Sequence, residues 1–109
     1  MPDPVETAET AAETLPELDP MLHSKLRLAV VSLLVGVEQA EFTWLRAKTG
    51  ATDGNLGAQL LKLEEAGYVA VEKRFVARKP QSLYRLTPDG RQALTQYVQS
   101  LRQLLGPAL

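Results

Sequence analysis

The chain has 109 residues, no cysteine and one histidine, and its 12 basic and 13 acidic residues give a formal net charge of −1. This length suits one domain with one core, and the lack of cysteine excludes disulfides, thiolate metal sites and thiol redox sensing. No apolar run approaches the roughly 20 residues of a membrane span, and the acidic N-terminus lacks the basic start of a secretory signal. We therefore expect a cytoplasmic protein that holds no metal and no cofactor.

Charge is distributed unevenly along the chain. Residues 1–21 contain six acids and no Lys or Arg, so residues 22–109 hold twelve bases, seven acids and a net charge of +5. A basic folded part is typical of a nucleic-acid binder. Residues 1–18 are predicted to be an acidic tail, disordered or partly helical, and residues 19–109 the folded domain. The tail is either a solvated spacer or an arm that competes with DNA for the basic surface.

The first helix is predicted to begin at Asp19-Pro20, a capping residue followed by proline, and to run to about Val35. Its apolar residues cover more than the single stripe that a surface helix needs. We therefore expect it to be buried on two sides, one of which a second chain could cover.

Three residues near the start of this helix superficially resemble a hydrolase triad: Asp19, His23 and Ser24. Adjacent helical residues point about 100° apart, and no Gly-rich nucleophile turn accompanies Ser24. No paired carboxylates or Gly-rich phosphate loop occur elsewhere. We expect no catalytic residues and no enzymatic activity.

A helix-turn-helix unit is predicted next, with an extended piece at 39–42, a compact helix at 43–49 and a second helix at about 53–66. Three leucines of the second helix share one stripe, which should face the core. Its polar residues point away from the core and could enter a major groove of DNA. There Asn and Gln match adenine edges, and Lys meets guanine or phosphate. The DNA-contacting residues predicted here are Thr52, Asn55, Gln59 and Lys62. An ordinary surface helix is the alternative.

Two runs that alternate apolar and polar residues follow, at 69–72 and 83–86, and they predict a hairpin. Between them lies a basic stretch, residues 73–80, which we expect to be a loop held out by the hairpin. Its cations have no acid among them and are predicted to contact phosphate or the minor groove: Lys73, Arg74, Arg78 and Lys79.

A last helix is predicted from the cap-then-proline pair Thr87-Pro88 to about Leu105. Its apolar residues recur at three- and four-residue spacing, which favours a homodimer seam. The predicted interface residues on the first and last helices are Leu22, Leu26, Leu94, Tyr97, Val98, Leu101, Leu104 and Leu105. The alternative is that both helices close the core of one monomer.

Four segments together resemble the winged helix-turn-helix transcriptional regulators, in the broad group of MarR-like and ArsR-like bacterial repressors: LHSKLRLAVVSLL, FTWLRAKTGATDGNL, LLKLEEAGYVAVEK and SLYRLTPDGRQAL. The runs L-x-x-L-E-x-A-G-hydrophobic-V and Y-R-L-T-x-x-G are the most specific of these features. The resemblance implies a mainly α fold with a small β-hairpin wing and an added C-terminal dimerisation helix. It also implies a recognition helix at 53–66 and a wing that grips phosphates or the minor groove. Relatives often carry a basic or aromatic residue near position 58, where this chain has Gly57 and Ala58.

The sequence therefore predicts a DNA-binding transcriptional regulator that acts as a homodimer on double-stranded DNA. The alternative is a winged-helix protein-interaction module without sequence-specific DNA binding, favoured by the weakly basic recognition helix and the acidic tail. A small-molecule or protein effector of unknown identity would have to use a cleft between helices or the partner interface.

Overall fold

The computed structural model describes residues 15–106, so most of the predicted acidic tail lies outside the described residues. Within that range, four helices surround a three-stranded antiparallel sheet. The elements in chain order are α1 (Lys25–Val35), β1 (Ala40–Glu41), α2 (Phe42–Thr49), α3 (Asp53–Glu65), β2 (Val69–Val76), β3 (Lys79–Leu86) and α4 (Pro88–Leu105). This confirms the predicted fold class, mainly α with a β-hairpin. No helix in the described part is long and apolar enough to cross a membrane.

The start of α1 differs from the prediction. Asp19 opens a single turn, in which its carboxylate accepts from the Met21 N–H at 2.9 Å, and the helix begins only after Ser24, whose hydroxyl accepts from the Arg27 N–H. The Arg27 side chain donates to the carbonyls of Pro20 at 3.4 Å and Met21 at 2.7 Å. A helix through this segment would use those carbonyls itself, so the arginine stabilises the separate turn.

The core lies between α1, the helix-turn-helix unit, the base of the hairpin and α4. All four helices contribute buried apolar side chains, and full burial of one such side chain stabilises the fold by about 1.5–3 kcal/mol. The buried hydrophobic residues of this cluster are Leu22, Val30, Val31, Leu34, Ala40, Leu45, Leu56, Leu60, Leu63, Val69 and Tyr97. Leu18, which the sequence placed in the tail, also packs against this core. The chain's own elements thus cover both buried sides of α1.

The turn between α2 and α3 has the two signals expected of a helix-turn-helix unit. Gly50 ends α2 in the left-handed region with φ of 69°, and Thr52 caps α3 by accepting from the Asn55 N–H at 3.2 Å. Arg46 and Asp53 form a salt bridge of 2.7 Å across the turn. The two helices are therefore fixed to each other both through the core and at the surface.

The hairpin is longer and tighter than predicted. β3 is the central strand of the sheet and pairs with β2 along its whole length, whereas the two-residue β1 pairs only with Leu83 and Tyr84. The predicted basic loop is wrong, because both strands continue to a two-residue turn formed by Ala77 and Arg78. Both have positive φ, 50° and 68°, as a type I′ hairpin turn requires. Most of the basic stretch is therefore strand.

The base of the hairpin is joined to α4 by a compact junction. Thr87 caps α4 by accepting from the Gly90 N–H at 3.0 Å, and its hydroxyl donates to the Gly67 carbonyl at 2.6 Å. The Thr87 N–H donates to the carbonyl of Tyr68 at 3.1 Å. A Cβ at Gly90 would lie 2.2 Å from that same carbonyl oxygen. The motifs L-x-x-L-E-x-A-G-hydrophobic-V and Y-R-L-T-x-x-G, the most specific features of the resemblance, thus meet at this junction.

The three residues that resembled a triad have three different partners. The Tyr68 hydroxyl donates to the Asp19 carboxylate at 2.5 Å, and the His23 ring lies 3.2 Å from the Tyr97 hydroxyl. Ser24 caps α1. These contacts fasten the N-terminal turn to the hairpin and to α4, and they leave the three side chains with separate structural roles.

Tyr68 gives this junction an alkaline pH dependence. Its hydrogen bond to Asp19, together with burial and the nearby carboxylates of Asp19 and Asp89, raises its pKa from 10.0 to about 12. The folded state therefore holds this proton more tightly than the unfolded chain does. The resulting stabilisation is complete below pH 10 and is lost as the pH rises towards 12.

We expect Tyr68→Phe to remove this pH dependence. Urea unfolding of both proteins at several pH values should give a stability difference that shrinks from pH 10 towards pH 12. Tyr84, whose pKa burial also raises, is present in both proteins, so its titration cancels. A difference that stays constant over this range would mean that the hydrogen bond to Asp19 does not govern the Tyr68 proton.

Candidate nucleic-acid interface

The predicted recognition helix, α3, turns one face to the core and one outward. Its buried residues are Leu56, Leu60 and Leu63. Of the predicted contact residues, Thr52, Asn55 and Lys62 are exposed and Gln59 is half-buried. The middle of the outer face carries small or apolar side chains instead, since Gly54, Ala58 and Leu61 are exposed and Leu61 is 54% exposed.

The two amides of this face are joined by a hydrogen bond. Arg27 on α1 donates to the Gln59 side-chain oxygen at 2.5 Å, and the Gln59 amide nitrogen donates to Asn55 Oδ1 at 3.1 Å. The structure thus brings Asn55 and Gln59 together and adds Arg27, which the sequence prediction missed. Arg27 and Gln59 are 32 residues apart in the sequence and lie on different helices, so no spacing rule within one element could have connected them.

The wing, defined as residues 73–80, exposes all four predicted cations. Cross-strand register pairs Lys73 with Ser82, Arg74 with Gln81 and Val76 with Lys79, so the cations occupy both faces of the hairpin. Within residues 15–106 none of the four has a salt bridge. The strands therefore project unneutralised positive charge away from the domain.

One wing cation is held in place by neutral and acidic neighbours. The Arg74 guanidinium donates to Gln81 Oε1 at 2.8 Å, and the Gln81 amide nitrogen donates to the Glu41 carboxylate at 2.5 Å. Because Glu41 belongs to β1, these two hydrogen bonds cross the sheet from β2 through β3 to β1, and they orient the Arg74 side chain. Arg78 is different, since it occupies the turn itself with φ of 68°.

The sequence prediction also missed the exposed apolar residues of the wing. Phe75 is 77% exposed and Val76 is 48% exposed, beside Arg74 and the turn. The signal was present, because the alternation that buries Val69 at the base of the strand continues outward to Phe75 on the same face. An exposed aromatic ring close to cations suits a nucleic acid, whose phosphates are anionic and whose base faces and sugar carbons are apolar.

The predicted dimer residues divide into buried and exposed groups. Leu22 has no exposed surface and Tyr97 only 6%, so both belong to the core of the single chain and offer a partner almost no contact area. The exposed members are Val98, Leu104 and Leu105, at 39%, 42% and 48%. The remaining three are half-buried against the core: Leu26, Leu94 and Leu101.

Comparison with known proteins agrees with this architecture. A family model described as a winged helix DNA-binding domain matches residues 26–105. An uncharacterized protein of Methanocaldococcus jannaschii is 36% identical over 84 residues, which cover 77% of this chain and 91% of that protein. A transcriptional regulator homologue from Pyrococcus horikoshii superposes with a TM-score of 0.71 at 25% identity, over 78% of this chain and 84% of the other.

A further solved structure shares the fold at lower identity. The transcriptional regulator BldR from Sulfolobus solfataricus gives a TM-score of 0.65 at 23% identity, over 91% of this chain and 73% of the other. The family match spans all four helices and the sheet except the first residue of α1. The chain belongs to the winged helix DNA-binding domain family.

Proposed function

We propose that this protein is a sequence-specific, DNA-binding transcriptional regulator that acts as a homodimer, with α3 in the major groove and the wing on the flanking backbone or minor groove. The observation that carries the proposal is the wing, in which Lys73, Arg78 and Lys79 project from a hairpin next to a helix-turn-helix unit. Cations in such a position neutralise phosphates and fix the register of the protein on the duplex.

The shape of α3 supports close approach to DNA. Gly54, Gly57 and Ala58 carry little or no side chain, and within residues 15–106 no atom beyond the adjoining backbone of α3 itself lies within 4 Å of where a Cβ at Gly54 or Gly57 would be. Glycine inside a helix costs about 0.5–1 kcal/mol relative to alanine. Because the fold itself does not require these glycines, we assign their role to contact with the groove.

We expect Gly57→Ala to affect stability and binding in opposite directions. The unfolding free energy should rise by about 0.5–1 kcal/mol, whereas the added methyl group should weaken binding to duplex DNA by about 1–3 kcal/mol through overpacking. Urea unfolding and fluorescence anisotropy measure the two effects. Ser32→Ala, at an exposed position of α1, is the control and should leave binding unchanged. Unchanged binding by the Gly57 variant would place the DNA away from this face.

The wing is tested by its salt dependence. Arg78→Ala combined with Lys79→Ala should weaken binding to all duplex sequences and reduce the slope of log affinity against log salt by about 1–2 units, roughly one per lost phosphate contact. Arg91→Ala combined with Arg102→Ala removes the same charge from exposed positions on α4 and should leave the slope nearly unchanged. An equal slope in the wing variant and the wild type would show that the wing does not touch DNA. Binding that is absent at low salt would favour a protein-interaction module.

The dimer is proposed from α4. Leu94, Val98, Leu101 and Leu105 follow four-, three- and four-residue steps, so they form one stripe, in which Leu94 and Leu101 are half-buried and Val98 and Leu105 are exposed. A two-fold pairing of this stripe would cover its apolar surface and present two copies of α3 about 34 Å apart, on successive major grooves. The expected operator is therefore a pseudo-palindrome.

A further inference from the structure

Three polar side chains connect α1 to the outer face of α3. Arg27 Nη1 donates to Gln59 Oε1 at 2.5 Å, and Gln59 Nε2 donates to Asn55 Oδ1 at 3.1 Å. Arg27 is itself anchored, because its other nitrogens donate to the carbonyls of Pro20 and Met21. This series of hydrogen bonds begins at the half-buried, anchored guanidinium of Arg27 and ends at the exposed side-chain amide of Asn55.

The direction of these hydrogen bonds follows from the chemistry of arginine. A guanidinium has only donors, so the atom of Gln59 that faces it must be the oxygen. The Gln59 nitrogen then faces Asn55, and because that nitrogen donates, the atom of Asn55 that faces it must also be the oxygen. The Asn55 Nδ2 group carries two N–H donors, and it faces away from these hydrogen bonds.

We infer that Arg27 is a positioning residue for base recognition, which sets the orientation of Asn55 so that this side chain reads a base with hydrogen-bond donors. The inference rests on the proposed function. Asparagine reads adenine through both its oxygen and its nitrogen; here one of the two lone pairs of the Asn55 oxygen is occupied by Gln59, whereas Nδ2 makes no hydrogen bond within residues 15–106 and offers both donors. Guanine presents two acceptors in the major groove, O6 and N7, and these match an amide that offers its NH₂ group. The structure therefore assigns Asn55 to guanine.

The test compares base preferences rather than affinities. Operators are first selected from random duplex DNA with the wild-type protein, and the position read by Asn55 is identified as the one at which Asn55→Ala loses its preference. Affinities for duplexes with guanine or adenine at that position are then measured. We expect the wild type to favour guanine by about fivefold or more.

Two variants break the series at different places. Arg27→Met removes the donors and keeps an apolar stem, and Gln59→Glu keeps an acceptor for Arg27 but has no donor for Asn55. Both should lower the guanine-to-adenine ratio at least fivefold, because Asn55 is then free to turn its oxygen towards adenine. Arg27→Lys keeps a donor-only group and should retain most of the wild-type ratio. A ratio of affinities is independent of the fraction of folded protein.

The double variants separate positioning from general damage. In an Asn55→Ala background, Arg27→Met should leave the ratio unchanged, since the reading group is already absent. The inference is overturned if the wild type prefers adenine at this position, or if Arg27→Met leaves the ratio as it is in the wild type. In either case sequence-specific binding, and with it the proposed function, would still stand. Failure to bind duplex DNA, or binding without any sequence preference, would overturn both.

Discussion

Val98→Glu combined with Leu105→Glu is expected to yield a folded monomer with operator affinity at least about 100-fold lower than that of the wild type. Both side chains are exposed in the single chain, 39% and 48%, so charge at these positions does not disturb the core. In the proposed dimer, the same charges would lie in an apolar seam between two copies of α4, where burial without a partner is costly. Loss of the second half-site contact removes the gain of bivalent binding, which is about 10²–10⁴.

Sedimentation equilibrium at micromolar concentration measures the first part of this result. The wild type should behave as a species of about 24 kDa, twice the 12.0 kDa chain, and the variant as a single chain. Gln99→Glu combined with Gln103→Glu adds the same charge at exposed polar positions of α4 and should remain dimeric. A wild type that sediments at 12 kDa would rule out the dimer, and a dimeric double-glutamate variant would rule out this seam.

Gly90→Ala is expected to cause the largest loss of stability of any single change proposed for this fold. The new Cβ would lie 2.2 Å from the carbonyl oxygen of Tyr68 and 2.7 Å from Leu86 Cδ1. Neither can yield easily, because that carbonyl accepts from the Thr87 N–H and Leu86 packs against the core. We expect the unfolding free energy to fall by about 3 kcal/mol, at the upper end of the usual cost of overpacking.

Thermal and urea unfolding measure this loss, which corresponds to a decrease in Tm of roughly 12–24 °C for a domain of this size. Gly54→Ala is the matched control, since its Cβ would meet no described atom within 4 Å. That variant should be as stable as the wild type or up to about 1 kcal/mol more stable. Equal stability of the Gly90 variant and the wild type would mean that α4 can move away from the hairpin without loss.

Local signals in the sequence predicted much of the fold. The second helix of the helix-turn-helix unit, from Asp53, and the Thr87-Pro88 start of α4 both occur where the sequence placed them. Each depends on hydrogen bonds or backbone angles within a few residues, so neighbouring residue types determine it. The leucine stripe of α3 was predictable for the same reason, because a helix fixes which residues share a face.

Side-chain contacts beyond the capping and periodicity patterns explain the errors. Asp19-Pro20 has the sequence of a helix start, but Arg27 binds the carbonyls that the helix would need, and α1 begins later. The same arginine engages Gln59, which the sequence presented as a free amide. Periodicity also could not separate a core residue from an interface residue, since Leu22 and a truly exposed leucine such as Leu105 fit the same apolar pattern.

Selection of bound sequences from random duplex DNA, at about 0.15 M salt, tests the central claim most directly. A homodimeric winged-helix regulator should enrich a pseudo-palindrome whose half-sites are centred about 10 base pairs, or one helical turn, apart. Specific sites should bind at least about 10³-fold more tightly than mixed duplex. Recovery of unrelated sequences after repeated rounds, with the affinity of mixed duplex, would contradict sequence-specific recognition by this protein.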